Sequence, residues 1–199
     1  MSEQGTYKPY AYYELMETSL RELLVEKGII TDGQVNAEVA AMRARMPERG
    51  AGVVARAWVD AAYKKRLLAN GTAACEEFGL EIPGLHLVVV ENTPQVHNAI
   101  VCTLCSCYPR VLLGIPPDWY KSRNYRSRMV REPRAVLAEF GLPIPESVQI
   151  RVHDSTADMR YMVLPIRPQG TEGWSEERLA RIVTRDSMIG VAVPTVALG

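Results

Sequence analysis

Three of the four cysteines lie within six residues, Cys102-Thr103-Leu104-Cys105-Ser106-Cys107, at i, i+3 and i+5; the fourth, Cys75, is remote. A disulfide framework scatters its cysteines, and a four-thiolate zinc site needs a second pair that this chain lacks. A CxxCxC spacing closes a loop tight enough for the sulfurs to converge, with the amide nitrogens of Ser106 and Cys107 directed at the same point. Soft thiolates favour zinc, copper(I), iron or cobalt over magnesium or calcium. Two amides and three sulfurs would leave one coordination position open, as catalysis requires and structural sites avoid. The competing class is a non-catalytic metal-binding or carrier protein, which would want a further protein ligand.

Such a loop must hang on something rigid. Val96–Val101 alternates and then runs apolar into Cys102, so the loop follows a strand end. Leu85–Val90 is a second strand across the turn Asn92-Thr93-Pro94, and Val148–His153 and Met159–Leu164 are a third and fourth. Pro109, Pro116 and Pro117 stop any long helix from leaving the loop. Helices are expected over Asp118–Lys121 and Tyr125–Phe140, broken at Glu132-Pro133, and from Ser175 to Val183. The C-terminal tail, Ile189–Leu198, reads as an edge strand or a packing tail.

Upstream the pattern is helical. Leu15, Met16, Leu20, Leu23 and Leu24 recur at helical spacing before Gly28, and a second helix starts at Thr31 or Asp32 and runs to Pro47. This pair either packs on the core or embraces another subunit. Tyr7, Tyr10, Tyr12 and Tyr13 make the leading segment too aromatic to stay solvated. Helices follow over Ala51–Trp58, from Asp60 to a stop at Asn70-Gly71, and over Thr72–Phe78. The fold class is α+β: an N-terminal helical arm (1–50), then a layered α-β-β-α type domain (51–199) carrying the metal loop and the catalysis.

Bulk properties agree with a soluble globular protein. Lys plus Arg equals Asp plus Glu at 23 each, so no global field recruits nucleic acid or an anionic membrane. No apolar run approaches a membrane span. Met1–Glu14 has neither a basic nor an apolar signal region, and clustered reduced cysteines suit the cytoplasm. Cys75 reads as a small buried hydrophobe. His86, His97 and His153 share no metal spacing. The arginines at 123, 126, 128, 131 and 134 suit a solvated face or a set that faces a subunit or supports the loop, more than a nucleic-acid patch.

Val101-Cys102-Thr103-Leu104-Cys105-Ser106-Cys107-Tyr108-Pro109 resembles the metal-binding motif of nitrile hydratase α subunits. Leu113–Lys121, Tyr125–Arg134, Met159–Pro165, Gly170–Ser175 and Met188–Gly190 resemble the family's following segments, so the likeness covers roughly 12–193. Thr103 matches the cobalt type, whereas iron-type members usually carry serine there. The resemblance implies Co(III), with Fe(III) as the alternative, held by Cys102, Cys105, Cys107 and the backbone nitrogens of Ser106 and Cys107. It implies oxidation of Cys105 to sulfinate and Cys107 to sulfenate, with Cys107 oxygen or an activated water attacking the nitrile and Ser106 assisting. It further implies a β subunit, or separate second and third subunits, and a metal-insertion activator protein. Two positions depart from the family: Pro83-Gly84-Leu85 stands where relatives have Gln-Gly-Glu, and Arg110 where they have tryptophan. Arg110, Trp119 and Tyr120 are the candidate substrate contacts. A cation at 110 suits an anion, as in thiocyanate hydrolase, a three-subunit relative; a widened pocket suits a bulky nitrile, as in toyocamycin nitrile hydratase.

Overall fold

A computed structural model of the chain describes residues 9–43, 46–82, 84–105 and 107–196, with the side chains of 9–11 and 43 set aside. Pro83, Ser106, Leu198 and the side chains of Tyr7 and Tyr10 therefore lie outside the described residues. The chain divides into two compact units, Met1–Ala44 and Arg45–Gly199.

The first unit is a helical pair. Helix α1 (Pro9–Glu26) begins at a proline, whose missing N–H costs nothing in the first turn. It ends where Gly28 takes φ 67°, letting the amides of Gly28 and Ile29 return to the carbonyls of Val25 and Leu24 at 2.9 Å each. Helix α2 (Asp32–Arg43) starts from a capping box. Thr31 Oγ1 accepts from the Gln34 amide (3.2 Å), and Gln34 Oε1 accepts from the Thr31 amide (2.8 Å). Among α1 side chains Tyr13, Leu15, Met16 and Leu20 stay exposed.

In the second unit Pro47 precedes α3 (Glu48–Val59), so the helix expected to run to Pro47 gives way to a new one beyond it. Ala51, Val53, Val54, Ala55 and Ala57 of α3 are buried. Asp60 caps α4 (Ala61–Ala69), accepting from the Tyr63 amide at 2.9 Å. Asn70-Gly71, expected as a stop, starts α5 (Gly71–Glu76): Asn70 accepts from the Ala73 amide at 3.1 Å. A Cβ on Gly71 would sit 2.6 Å from the Leu87 carbonyl oxygen, so the close approach of α5 to the next strand requires glycine.

Strands β1 (His86–Glu91) and β2 (Val96–Val101) follow, then the short helices α6 (Arg110–Leu113), α7 (Asp118–Lys121), α8 (Arg123–Met129) and α9 (Pro133–Glu139). Next come β3 (Gln149–Asp154) and β4 (Met159–Leu164). Each strand pairs in parallel with a distant one: β1 with β4 from His86↔Met159 to Glu91↔Leu164, and β2 with β3 from Val96↔Gln149 to Val101↔Asp154. The short turns at 92–95 and 155–158 carry the chain from one two-stranded sheet to the other, not back along the same sheet. Helices α4 and α5 cover β1, α9 lies on β3, and α11 (Arg185–Ile189) reaches β2 and β4, which gives the layered α+β architecture.

A buried polar knot joins the two sheets. Asn92 Oδ1 accepts from the Asn98 amide (2.7 Å), Asn98 Nδ2 donates to the Glu91 carbonyl (2.8 Å), and His153 Nε2 lies 2.8 Å from Asn98 Oδ1. His97 Nε2 reaches the Gly190 carbonyl at 2.8 Å. Burial holds both imidazoles below the usual histidine range, as expected for packed, neutral rings. Ser175 caps α10 (Glu176–Ala180), which ends before Val183. Helix α11, not anticipated from the sequence, starts at a Thr184–Ser187 capping box and ends at Gly190 with φ 92°. Beyond it the described tail forms no strand, and Val191 packs in the core. No described helix is long and apolar enough to cross a membrane.

Candidate metal centre

The β2–β3 register builds the site. Val101 pairs with Asp154, and the Ser155 amide donates to the Val101 carbonyl at 2.8 Å, so the last β2 residue is fixed just before Cys102. Cys102 is buried, Cys107 half-buried and Cys105 exposed. Their sulfurs converge, with Cys102 Sγ 3.6 Å from Cys105 Sγ and Cys105 Sγ 3.3 Å from Cys107 Sγ. The Cys105 amide also points at Cys102 Sγ, 3.3 Å away.

The exit of the loop is held as firmly as its entry. Tyr120, fully buried, donates its hydroxyl to the Cys107 carbonyl at 3.0 Å. Tyr125 donates to the Ile100 carbonyl at 2.8 Å, under the end of β2. Burial raises both phenols far above their ordinary range, so both are donors at any ordinary pH. Trp119 packs edge-on against Tyr125 and Phe140, with centroids 4.9 and 4.7 Å apart, and borders a separate 250 Å³ cavity.

A 390 Å³ cavity opens on Cys105 and Cys107, and among the described residues its wall also combines Arg110 and Arg160 with Ile82, Leu85, Leu87, Val111 and Leu112. Arg110 therefore lies where a substrate contact was expected. Trp119 and Tyr120 are not among the described lining residues: the first packs against Tyr120, Tyr125 and Phe140, and the second anchors the loop. Ser106 and Pro83 are outside the described residues. Ile82 and Leu85, on either side of Pro83, contribute apolar wall.

The charged groups around the loop divide by task. Asp154 takes both donors of Thr103, accepting from its amide at 2.9 Å and its hydroxyl at 2.5 Å. Arg126 Nη1 donates to the Thr103 carbonyl at 3.2 Å. Arg128 is bound by Glu132 (2.5 Å) and Glu139 (2.6 Å), and Arg134 holds the carbonyls of Ile144, Pro145 and Val148. One arginine of the run thus supports the loop, Arg128 ties α8 to α9, and Arg134 pins the segment leading into β3. Asp154 and Arg160 are not marked by the sequence, and Arg126 is one of five arginines there; only the strand register and the fold of the α8 segment bring them to the loop.

The donor set fits a soft or borderline metal ion. Among the described His, Cys, Asp and Glu side chains, the cluster able to hold one is Cys102, Cys105 and Cys107, with no further member. Burial, followed by the bonds to the other two sulfurs, pushes the Cys107 thiol up to about 12, and Arg160 only partly opposes this. Three sulfurs this close deprotonate together only against a cation. Cys75 is buried in the core, and burial pushes its thiol to about 12, which makes it inert packing.

The profile of the family "Nitrile hydratase, alpha chain" matches residues 11–192. The chain is 52% identical over 176 residues to the cobalt-containing nitrile hydratase subunit alpha of Pseudonocardia thermophila, covering 87% of this chain and 86% of the relative. It is 45% identical to the thiocyanate hydrolase subunit gamma of Thiobacillus thioparus over 194 residues, covering 92% and 80%. Among solved structures, a double mutant of the Fe-type nitrile hydratase from Comamonas testosteroni Ni1 superposes with a TM-score of 0.87 at 48% identity, covering 95% of this chain and 98% of that one.

Proposed function

Because the chain belongs to the nitrile hydratase α-chain family, we propose that it is the metal-bearing catalytic subunit of an enzyme that adds water to a nitrile and yields the amide. The observation that carries this reading is the convergence of three sulfurs beside an accessible 390 Å³ cavity whose wall includes Cys105 and Cys107, with no further protein ligand among the described residues. A structural site closes its coordination sphere, and this one faces a cavity.

Cys102, Cys105 and Cys107, with the backbone nitrogens of Ser106 and Cys107, would hold Co(III); Thr103 and the cobalt-containing relatives favour cobalt over iron. Bound there, the ion supplies Lewis acidity that polarises the nitrile carbon. The chain's own residues do the rest. Oxidised Cys107, on the cavity wall, presents the oxygen nucleophile, and oxidised Cys105 beside it accepts hydrogen bonds. Tyr120 fixes the Cys107 carbonyl, so the attacking group does not swing away from the nitrile. The Cys107 oxygen bonds to the nitrile carbon, its S–O bond breaks as water attacks the sulfur and restores the oxidised side chain, and the two water protons pass to nitrogen; the net addition is one water, so the nitrile carbon gains C=O and the nitrogen becomes NH₂. The apolar wall from Ile82, Leu85, Leu87 and Val111 receives the body of the nitrile.

The second unit, 45–199, carries the chemistry. The first engages a partner β subunit through the exposed apolar side chains of α1, or separate second and third subunits in a three-subunit assembly. An activator protein delivers the metal, in the cytoplasm. A second reading, thiocyanate hydrolysis, rests on Arg110 and Arg160 in the same cavity. Their charge suits an anion, but the volume exceeds what a small linear anion fills, so a nitrile with a substantial body is the first assignment. Co-expression with the partner and activator in cobalt medium, followed by a panel of small and bulky nitriles and thiocyanate, tests it. Amide formation from nitriles is the expected result. Turnover of thiocyanate alone would replace the first reading by the second, and a colourless, silent complex would remove both.

A further inference from the structure

We propose that Asp154 is a positioning residue that sets the cysteine loop before any metal arrives, acting through Thr103; the inference rests on the loop being the metal centre. Thr103 is the first residue between Cys102 and Cys105, so its backbone angles decide where the Cys105 amide and sulfur lie. All three of its polar groups are gripped. Its amide and hydroxyl both end on the Asp154 carboxylate, at 2.9 and 2.5 Å, and its carbonyl receives Arg126 Nη1 at 3.2 Å.

Asp154 holds this position through the backbone. It is the last residue of β3, in register with Val101, and the next amide, Ser155, closes on the Val101 carbonyl at 2.8 Å. The strand pair that ends in Cys102 therefore also delivers the carboxylate that orients the following residue. The carboxylate is not a member of the ligand cluster, and both its oxygens already accept from Thr103, so it acts on the centre only through the loop. A charged acceptor taking two bonds from one residue is stronger and more directional than a neutral one. A loop held in its bound geometry spends less of the binding energy on ordering itself.

Asp154 and Thr103 are exposed, so substitutions there spare the core. The test compares Asp154→Ala, Thr103→Val and Thr103→Ser in the full chain, metal-free and as the cobalt-loaded complex with its partner. In the metal-free chain, hydrogen exchange at the Thr103 amide should rise by about tenfold or more in Asp154→Ala, because a charge-assisted bond is lost. In the complex, Asp154→Ala and Thr103→Val should weaken cobalt retention by about 10–100-fold and shift the sulfur-to-cobalt absorption band, whereas Thr103→Ser, which keeps the hydroxyl, should restore both. Wild-type exchange and an unshifted band in Asp154→Ala would overturn the proposal. Should that variant unfold globally, equal behaviour of Thr103→Val and Thr103→Ser would overturn it instead. A wild-type complex that takes up no cobalt would end the metal-centre reading itself, and the positioning role with it, whatever the exchange data show.

Discussion

Replacing Tyr120 by phenylalanine isolates one bond of the centre. The Tyr120 ring is fully buried, with centroids 5.1 Å from Tyr108 and 5.6 Å from Tyr125, and phenylalanine keeps all of that packing. What disappears is the hydroxyl that donates to the Cys107 carbonyl at 3.0 Å. Losing a buried hydrogen bond and stranding its acceptor costs about 1–3 kcal/mol. For a domain of this size that lowers Tm by about 2–4 °C per kcal/mol. Tyr125→Phe is the matched control. It removes a hydroxyl just as buried, but from the Ile100 carbonyl at 2.8 Å, on a strand already held by pairing with β3. The two variants should melt alike. Only Tyr120→Phe should lose cobalt content and turnover, by about tenfold, because only it frees the last residue of the loop. The assay is thermal unfolding of the purified complex beside cobalt analysis and initial rates. Wild-type melting in Tyr120→Phe, or equal turnover in both variants, would show that the Tyr120 hydroxyl does not hold the loop.

Further outcomes follow from other parts of the structure. Cys75→Ala should leave cobalt content and turnover unchanged and cost about 1–2 kcal/mol, read by urea unfolding. Its buried thiol stays protonated to about 12 when folded, against an ordinary value of 9.0. The unfolded chain releases that proton first, so the thiol's contribution is complete below about pH 9 and is lost as pH rises towards 12; wild-type stability should fall more steeply than that of Cys75→Ala over that window. Gly190→Ala should abolish soluble expression or cost more than about 4 kcal/mol, because its Cβ would sit 2.2 Å from the Asn98 carbonyl oxygen at φ 92°. Arg110→Trp should raise nitrile turnover relative to thiocyanate turnover, and an unchanged ratio on a mixed substrate panel counts against Arg110 as an anion contact.

Local chemistry was legible in the sequence. The strand running into Cys102, the caps at Thr31, Asp60 and Ser175, and the break before Pro133 each depend on residues next to one another. Pairing was not, because β1 and β2 look like neighbours across a turn, whereas each is completed by a strand more than fifty residues later. Asn70-Gly71 carries both a stop and a start signal, and only the approach of Leu87 decides for the start. The cysteines were found by spacing alone. Asp154 was not, since its role exists only through the β2–β3 register, and Arg126 was one of five arginines until the structure gave it Thr103 as a partner.

Mass spectrometry of the peptide containing Cys102, Cys105 and Cys107, joined to metal analysis of the native complex, reads the proposed metal centre itself. Cobalt at one ion per chain, two added oxygens on Cys105, one on Cys107 and none on Cys102 are expected. Unmodified cysteines with zinc or no metal, in a complex assembled with its partner and activator, would contradict that centre.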